Sequence, residues 1–400
     1  MSYRPFVVPP NIYYGPGSIE ALHDVPGERV LIVTDPGVSS LGLIKRVKNI
    51  LSARKAAVEV FDKVEPDPSN TTVWSIFALA QEFKPDLFIG IGGGSSMDAG
   101  KAGWVLYEHP DLAELSASEV KPEIINREMH KKAKYAAIPT TSGTGSEVTR
   151  VSVVTDSTVE PHVKVSWYSL HIVPDVAIAD AELAASMPPI VTANTGFDAL
   201  IHAVECYVLT EPSDIVDSLA IGAARQIMEW LPEAVADGSN MQAREKMHLA
   251  ALQAGMAFSN GTLWLVHVTA HELGSTLGLP HGLTCAFMLC PSFSFLFRSH
   301  RERLVSLAAS LGVAKGDDEA RVSGLLDSLD NLKRKISMPL AIKDTGIEES
   351  KYLEMLDLII ERCTEQLRSR VVVPGLFPLM TDEVRQLFMH AWNGTRVELG

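Results

Sequence analysis

The stretch Leu87-Phe88-Ile89-Gly90-Ile91-Gly92-Gly93-Gly94-Ser95-Ser96-Met97-Asp98 decides how the chain is read. Its first five residues form a short apolar run, the pattern of a strand buried on both faces. The glycines behind it let a backbone approach a phosphate closely. A helix opening there presents N–H groups and a partial positive charge to an anion. Ser95 and Asp98 have the spacing of a capping box, which places a helix start at this point. The spacing is not G-x-G-x-x-G, so a tight turn without a ligand stays open as the plain alternative.

Outward from this turn, the first ~185 residues alternate between apolar runs and helical patterns. Arg29 to Asp35 is β-branched and ends at Pro36-Gly37, and Ala57 to Phe61 is closed by Glu65-Pro66-Asp67-Pro68. Thr71 to Phe83 has helical spacing. Tyr135 to Ile138 is another apolar run, followed by the small-residue loop Pro139-Thr140-Thr141-Ser142-Gly143-Thr144-Gly145-Ser146-Glu147. Strand and helix in this rhythm predict a parallel sheet with helices on both faces. Two polar loops after two of its strands suit a ligand, because strand ends are where such sheets bind.

The character changes near Ser186-Met187-Pro188-Pro189, where the tandem prolines suggest a hinge. Beyond it, Ala193–Tyr207, Ser218–Leu231, Ala243–Phe258, Leu263–Gly274, Arg303–Leu311, Glu319–Ile336 and Ile347–Leu367 suit helices. The expected fold is therefore an α/β, Rossmann-like nucleotide-binding domain over 1–186 and an all-α domain over 187–400.

A net charge of −14 argues against a nucleic-acid partner. No apolar run approaches the ~20 residues of a membrane span, and Met1 to Pro10 lacks the pattern of a secretory leader. Cys206, Cys285, Cys290 and Cys363 form no C-x-x-C pair and read as small core or surface residues. A cytoplasmic protein is expected.

Asp198 and His202 stand at i and i+4 in an apolar helical pattern and so share a face. His267 and His271 repeat that spacing, and His281 follows a Gly-Leu-Pro turn. Imidazoles with a carboxylate make a mixed N/O donor set that suits Fe²⁺ or Zn²⁺ better than Ca²⁺ or Mg²⁺. The H-E-x-x-H pattern is absent, and each histidine alone is more often an ordinary buried residue.

Taken in order, these segments resemble the iron-dependent (group III) alcohol dehydrogenase family, which shares its fold with dehydroquinate synthase. The motifs are Gly92-Gly93-Gly94-Ser95 with Asp98 and Lys101, Thr140 to Glu147, Gly196-Phe197-Asp198-Ala199-Leu200-Ile201-His202, and His267 to Gly274 with His281 after it. The resemblance implies metal ligands at Asp198, His202, His267 and His281, with Fe²⁺ expected and Zn²⁺ the alternative. His271 matches a position near the nicotinamide that relays a proton. Gly93, Gly94, Ser95 and Asp98 match the pyrophosphate loop, and Thr140, Thr141, Thr144 and Lys164 match cofactor contacts. Asp35 closes the first long strand, where a carboxylate accepts hydrogen bonds from a ribose and repels an added 2′-phosphate. NAD is thus expected over NADP, with a turn-initiating aspartate as the alternative role.

Val151, Phe258 and Trp264 stand at positions expected to line the substrate pocket, with a core role the alternative for Trp264, and Gly100 replaces the family's usual alanine before Lys101, which is expected to loosen the helix a little. The implied activity is hydride transfer between NAD(H) and a small alcohol or aldehyde at a cleft between the domains, in a homo-oligomer. The rival readings are a zinc polyol dehydrogenase, a dehydroquinate synthase-like lyase, and a non-catalytic metal-binding protein.

Overall fold

The computed structural model of the chain describes residues 4–160, 162–369 and 379–399. Residues 1–3, part of the stretch read for a leader, lie outside them. The chain divides into two compact units, Met1–Met187 and Pro188–Gly400.

The first unit contains strands β1 (Asn11–Tyr14), β2 (Arg29–Val33), β3 (Ala57–Phe61), β4 (Leu87–Gly92), β5 (Lys134–Pro139), β6 (Val151–Asp156), β7 (Val163–Tyr168) and β8 (Val176–Ala179). Its helices are α1 (Pro36–Ser40), α2 (Leu43–Ala53), α3 (Asn70–Phe83), α4 (Gly94–Glu108) and α5 (Pro122–Ile125). Six strands form a parallel sheet in the order β1-β8-β5-β4-β2-β3, and β6 and β7 form a separate antiparallel hairpin. Alternation along the strands feeds two cores, as strand geometry requires. Leu31, Val33, Phe88, Tyr135 and Ala137 face α3 and α4 through Val73, Ile76 and Val105. Val30, Ile32, Ile89, Ile91 and Ile138 face α2 through Ile44, Val47 and Leu51. Each such large apolar side chain contributes about 1.5–3 kcal/mol on burial, so the run Leu87–Ile91 anchors both layers.

Gly100 has a packing reason. The Tyr135 hydroxyl, which donates to the Met97 carbonyl at 2.7 Å, sits where a Cβ on Gly100 would be, 2.6 Å away. The glycine read from sequence as loosening the helix is what lets α4 lie against the sheet.

The second unit is helical: α6 (Pro189–Leu209), α7 (Asp214–Ala236), α8 (Met241–Ser259), α9 (Leu265–Leu277), α10 (His281–Ser310), α11 (Asp318–Lys335), α12 (Glu349–Ser369) and α13 (Thr381–Asn393). The tandem prolines expected to form a hinge stand where the two units divide, and they open α6. Pro188 is its N-cap and Pro189 its first residue, where a missing N–H loses no helical bond. Helix α10 starts at His281 and runs through the stretch read as a separate Arg303–Leu311 helix, with one non-helical residue at His300. By length and composition α10 alone among the described helices is apolar enough to cross a membrane. Its qualifying window is 78% buried, which makes it a core helix of this unit.

Every residue from Gly196 to Leu209 of α6 is buried. A helix enclosed all round is expected to be apolar. Asp198, His202 and Glu205 break that rule on one stripe, at i, i+4 and i+7, and burial of such groups needs a compensating partner.

Candidate functional site

In the first unit, the candidate cofactor residues other than Lys164 gather at the C-terminal ends of three adjacent parallel strands, since β2 pairs with β4 and β4 with β5. Asp35 follows β2, Gly93 follows β4, and Thr140 follows β5. Gly92 has φ +150°, and a Cβ there would lie 2.5 Å from Ser96 Oγ and 3.0 Å from Asp35 Oδ2. Only glycine fits this corner. A Cβ on Gly94 would likewise meet Thr144 Cγ2 at 2.8 Å, so the missing side chain is what lets Thr144 lie close against the start of α4.

The capping box expected from Ser95 and Asp98 does not form. Helix α4 has Gly93 as N-cap, with no side-chain cap. Ser95 Oγ accepts from Asp67 N at 3.3 Å, while the Asp98 carboxylate accepts from Ser146 Oγ at 2.6 Å and from Val153 N at 3.0 Å. The helix opens with a residue that has no side chain, so its first turn keeps the backbone character an anion uses. Asp98 instead ties α4 to the Thr140–Glu147 loop and the hairpin.

Asp35 is the N-cap of α1, accepting from Val38 N at 3.0 Å on Oδ1 and from Ser96 Oγ at 2.8 Å on Oδ2. It therefore fills the turn-initiating role and at the same time abuts the glycine loop. Thr140 N donates to Gly92 O, Thr144 Oγ1 accepts from Ser146 N, and Thr141 Oγ1 is buried without a hydrogen-bond partner. Lys164 on β7 pairs with Asp67 at 2.7 Å, and Asp67 is the residue bound to Ser95. Lys101 is fully buried. It donates to the carbonyls of Ser146, Thr149 and Val151, and burial pulls its ammonium down to about 8 against the pull of Asp98 and Glu147. Burial pushes the Glu147 carboxyl up to about 7.

In the second unit, Asp198 Oδ1 faces three imidazoles. His202 Nε2 is 3.8 Å away, His267 Nε2 3.9 Å and His281 Nε2 3.5 Å. These separations exceed a hydrogen bond. Two ligands held ~2.1 Å from one ion at a tetrahedral angle stand about 3.4 Å apart, so the spacing fits donors that share a metal. Asp198 Oδ1 and His267 Nε2 are buried with no hydrogen-bond partner, an arrangement that a cation between them would satisfy. Burial works to raise the Asp198 carboxyl, but His202, His281 and His267, with the Cys285 thiol, hold it below the ordinary carboxylate value. The donor set fits a divalent transition metal.

Glu205 belongs to the candidate site, and the sequence reading missed it. Fully buried, it accepts from Trp264 N at 3.3 Å and Val266 N at 2.7 Å on Oε1, and from His267 Nδ1 on Oε2. A carboxylate only accepts, so His267 Nδ1 carries the hydrogen and Nε2 keeps its lone pair toward Asp198. Burial lowers the basicity of His267, and Glu205 and then Asp198 more than reverse it. The i+7 spacing from Asp198 was the available signal. Cys285 was missed too, read only as packing. Asp198, His267, His281 and Cys285 each offer one donor atom within 4.8 Å of the others.

His202 is stacked between Phe258 at 4.4 Å and His267 at 4.8 Å, centroid to centroid. His271 is half-buried, with its ring 4.8 Å from that of His281 and 6.4 Å from that of His267. Trp264 is 2% exposed, the N-cap of α9, and part of the helical core. Val151 opens β6 in the other unit, so the three pocket candidates do not come from one element or one unit.

Two family descriptions match the chain: "Iron-containing alcohol dehydrogenase" over residues 9–181 and "Fe-containing alcohol dehydrogenase family, C-terminal" over residues 192–391. The chain is 38% identical to an NADPH-dependent butanol dehydrogenase of Clostridium saccharobutylicum, over 98% of this chain and 99% of that one. It is 35% identical to a 1-propanol dehydrogenase of Citrobacter freundii, over 95% of this chain and 100% of that one. Among solved structures, an alcohol dehydrogenase from Oenococcus oeni superposes with a TM-score of 0.87 at 29% identity, covering 98% of this chain and 100% of the other. The two family matches run from residue 9 to residue 391 with one short gap, and the chain belongs to the iron-containing alcohol dehydrogenase family.

Proposed function

We propose that this oxidoreductase moves a hydride between NAD(H) and a small primary alcohol or its aldehyde at one divalent ion, Fe²⁺, held by Asp198, His202, His267 and His281. One observation carries the reading. A buried carboxylate oxygen without a hydrogen-bond partner faces three imidazole nitrogens at 3.5–3.9 Å. Bound there, the ion supplies Lewis acidity toward the substrate oxygen, and the nicotinamide supplies or takes the hydride.

The chain's own residues do the rest. Asp198, held ionised, supplies the negative charge that a cation in a dry site needs. Glu205 fixes the His267 tautomer and ring plane, and Phe258 fixes His202 from its other face. His271, beside His281 and half-buried, is placed to exchange the alcohol proton with water. Trp264 we assign to packing around Glu205, leaving Phe258 as the aromatic of the pocket. In the first unit, Gly92, Gly93 and Gly94 admit the pyrophosphate backbone-close at the start of α4, flanked by Thr140, Thr141 and Thr144.

The preference for NAD rests on Asp35, whose carboxylate at the end of β2 disfavours a 2′-phosphate. The Clostridium saccharobutylicum relative is by name NADPH-dependent, so the reading of NAD rests on Asp35 and takes no support from that relative. The names of the two dehydrogenase relatives, butanol and 1-propanol, support short unbranched substrates. The test is His267→Ala, expected to lose both the bound ion and NADH-linked aldehyde reduction. A variant that keeps full turnover without metal overturns the proposal.

A further inference from the structure

Cys285 stands one helical turn after His281 on α10, so the two side chains share a face. It is 0% exposed, and its Sγ lies 3.6 Å from His281 Nε2 and 3.8 Å from His281 Nδ1. A sulfur at ~2.3 Å and an imidazole nitrogen at ~2.1 Å from one ion stand about 3.6 Å apart at a near-tetrahedral angle. The sulfur also lies within 4.8 Å of an Asp198 carboxylate oxygen. The point these atoms surround is marked independently by Asp198 Oδ1 and His267 Nε2, both more than nine-tenths buried and without a hydrogen-bond partner.

We propose that Cys285 is itself a metal ligand, so that the centre of this protein carries a sulfur donor beside Asp198, His267 and His281. The inference rests on the reading that these residues bind a divalent ion, and it adds a soft donor to a set of imidazoles and a carboxylate. On binding, the thiol gives its proton to solvent and the sulfur lone pair goes to the ion, with no change of oxidation state. Thiolate suits Zn²⁺ and its spectroscopic substitute Co²⁺, whereas imidazole and carboxylate alone do not separate Zn²⁺ from Fe²⁺. His202, with Nε2 3.8 Å from Asp198 Oδ1, stays in the donor set, its ring stacked between Phe258 and His267.

The experiment uses the full chain, stripped with a chelator and reloaded with Co²⁺, followed by electronic absorption. The visible ligand-field bands report that the ion is bound, and a near-ultraviolet sulfur-to-cobalt band reports the thiolate. We expect both in the wild type, and in Cys285→Ser the visible bands without the near-ultraviolet one. Zinc affinity of Cys285→Ser is expected to fall by at least the roughly tenfold that loss of an outer partner costs. Bound Co²⁺ without the sulfur band in the wild type overturns the role of Cys285 and leaves the metal site standing. Failure to bind Co²⁺ at all overturns both. Because the serine variant sits in a packed core, the zinc-loaded wild type provides a second reading by X-ray absorption. A sulfur scatterer at ~2.3 Å is expected, and nitrogen and oxygen scatterers alone overturn the proposal.

Discussion

Glu205→Gln separates orientation of the metal ligand from stability of the fold. Both backbone donors, Trp264 N and Val266 N, bond to Oε1, and only His267 Nδ1 bonds to Oε2. Glutamine can keep its carbonyl oxygen at the Oε1 position, so the start of α9 stays tied to α6. Its NH₂ group then occupies the Oε2 position and faces Nδ1 as a donor. The imidazole must accept there, which moves its hydrogen to Nε2, the atom 3.9 Å from Asp198 Oδ1. A protonated Nε2 cannot bind a metal. Loss of such an outer partner costs about 10–100-fold in metal affinity, or about 1.4–2.8 kcal/mol at about 1.4 kcal/mol per tenfold. The assay is competition for Zn²⁺ against a chromophoric chelator, run beside thermal unfolding of the metal-free protein. We expect the affinity to fall within that range and the metal-free Tm to move by no more than about 4 °C, the shift of about 1 kcal/mol in a unit this large. Unchanged affinity refutes the orienting role. A loss of affinity matched by collapse of the metal-free Tm refutes it as well, because it would make Glu205 a packing residue only.

Three further outcomes follow from the first unit. Asp35→Gly should raise the ratio of NADPH to NADH activity by tenfold or more, while costing the α1 N-cap only a few tenths of a kcal/mol; an unchanged ratio removes Asp35 from the ribose site. Gly92→Ala places a Cβ 2.5 Å from Ser96 Oγ at a φ of +150°, so calorimetric NADH binding should weaken tenfold or more, and retained affinity would show that the turn does not hold the cofactor. Glu147 has its folded-state value raised by burial from 4.5 to about 7, so its stabilising contribution is complete below pH 4.5 and is lost as pH rises through about 7. Glu147→Gln should therefore flatten the fall of Tm between pH 5 and 8 and be relatively more stable at pH 8; an unchanged slope contradicts the buried, neutral assignment.

Much of the fold is legible because its signals are local. The run Leu87–Ile91 and the glycines after it specify a buried strand and a tight turn within a dozen residues, and the helices of the second unit repeat at 3.6 residues. What escaped is set by neighbours distant in sequence. Strand β1 is an edge strand of four residues, Asn11–Tyr14, defined by its pairing with β8 and not by any apolar run. The Ser95–Asp98 spacing mimicked a capping box, but Ser146 and Val153 compete for the Asp98 carboxylate. Gly100 read as a weakness because nothing local reveals the Tyr135 hydroxyl beneath it.

The candidate site divides in the same way. Asp198 and His202 are readable as a helical pair, and Glu205 continues their stripe, so a stricter reading of α6 would have included it. Cys285 bears the same i+4 relation to His281, hidden because Gly278-Leu279-Pro280 looked like the start of a loop and not the cap of α10. Which donors converge on Asp198 depends on the packing of α6, α9 and α10, which no spacing within one helix reports.

The most direct test is a metal titration of the chelator-stripped protein, with aldehyde reduction by NADH followed at each increment of Fe²⁺ and a parallel series in Asp198→Ala. The account predicts no turnover without metal, a linear rise that saturates at one ion per chain, and no rise in the variant, whose imidazoles lose the carboxylate they surround at 3.5–3.9 Å. Full turnover by the metal-free protein, or equal recovery by Asp198→Ala, would contradict it.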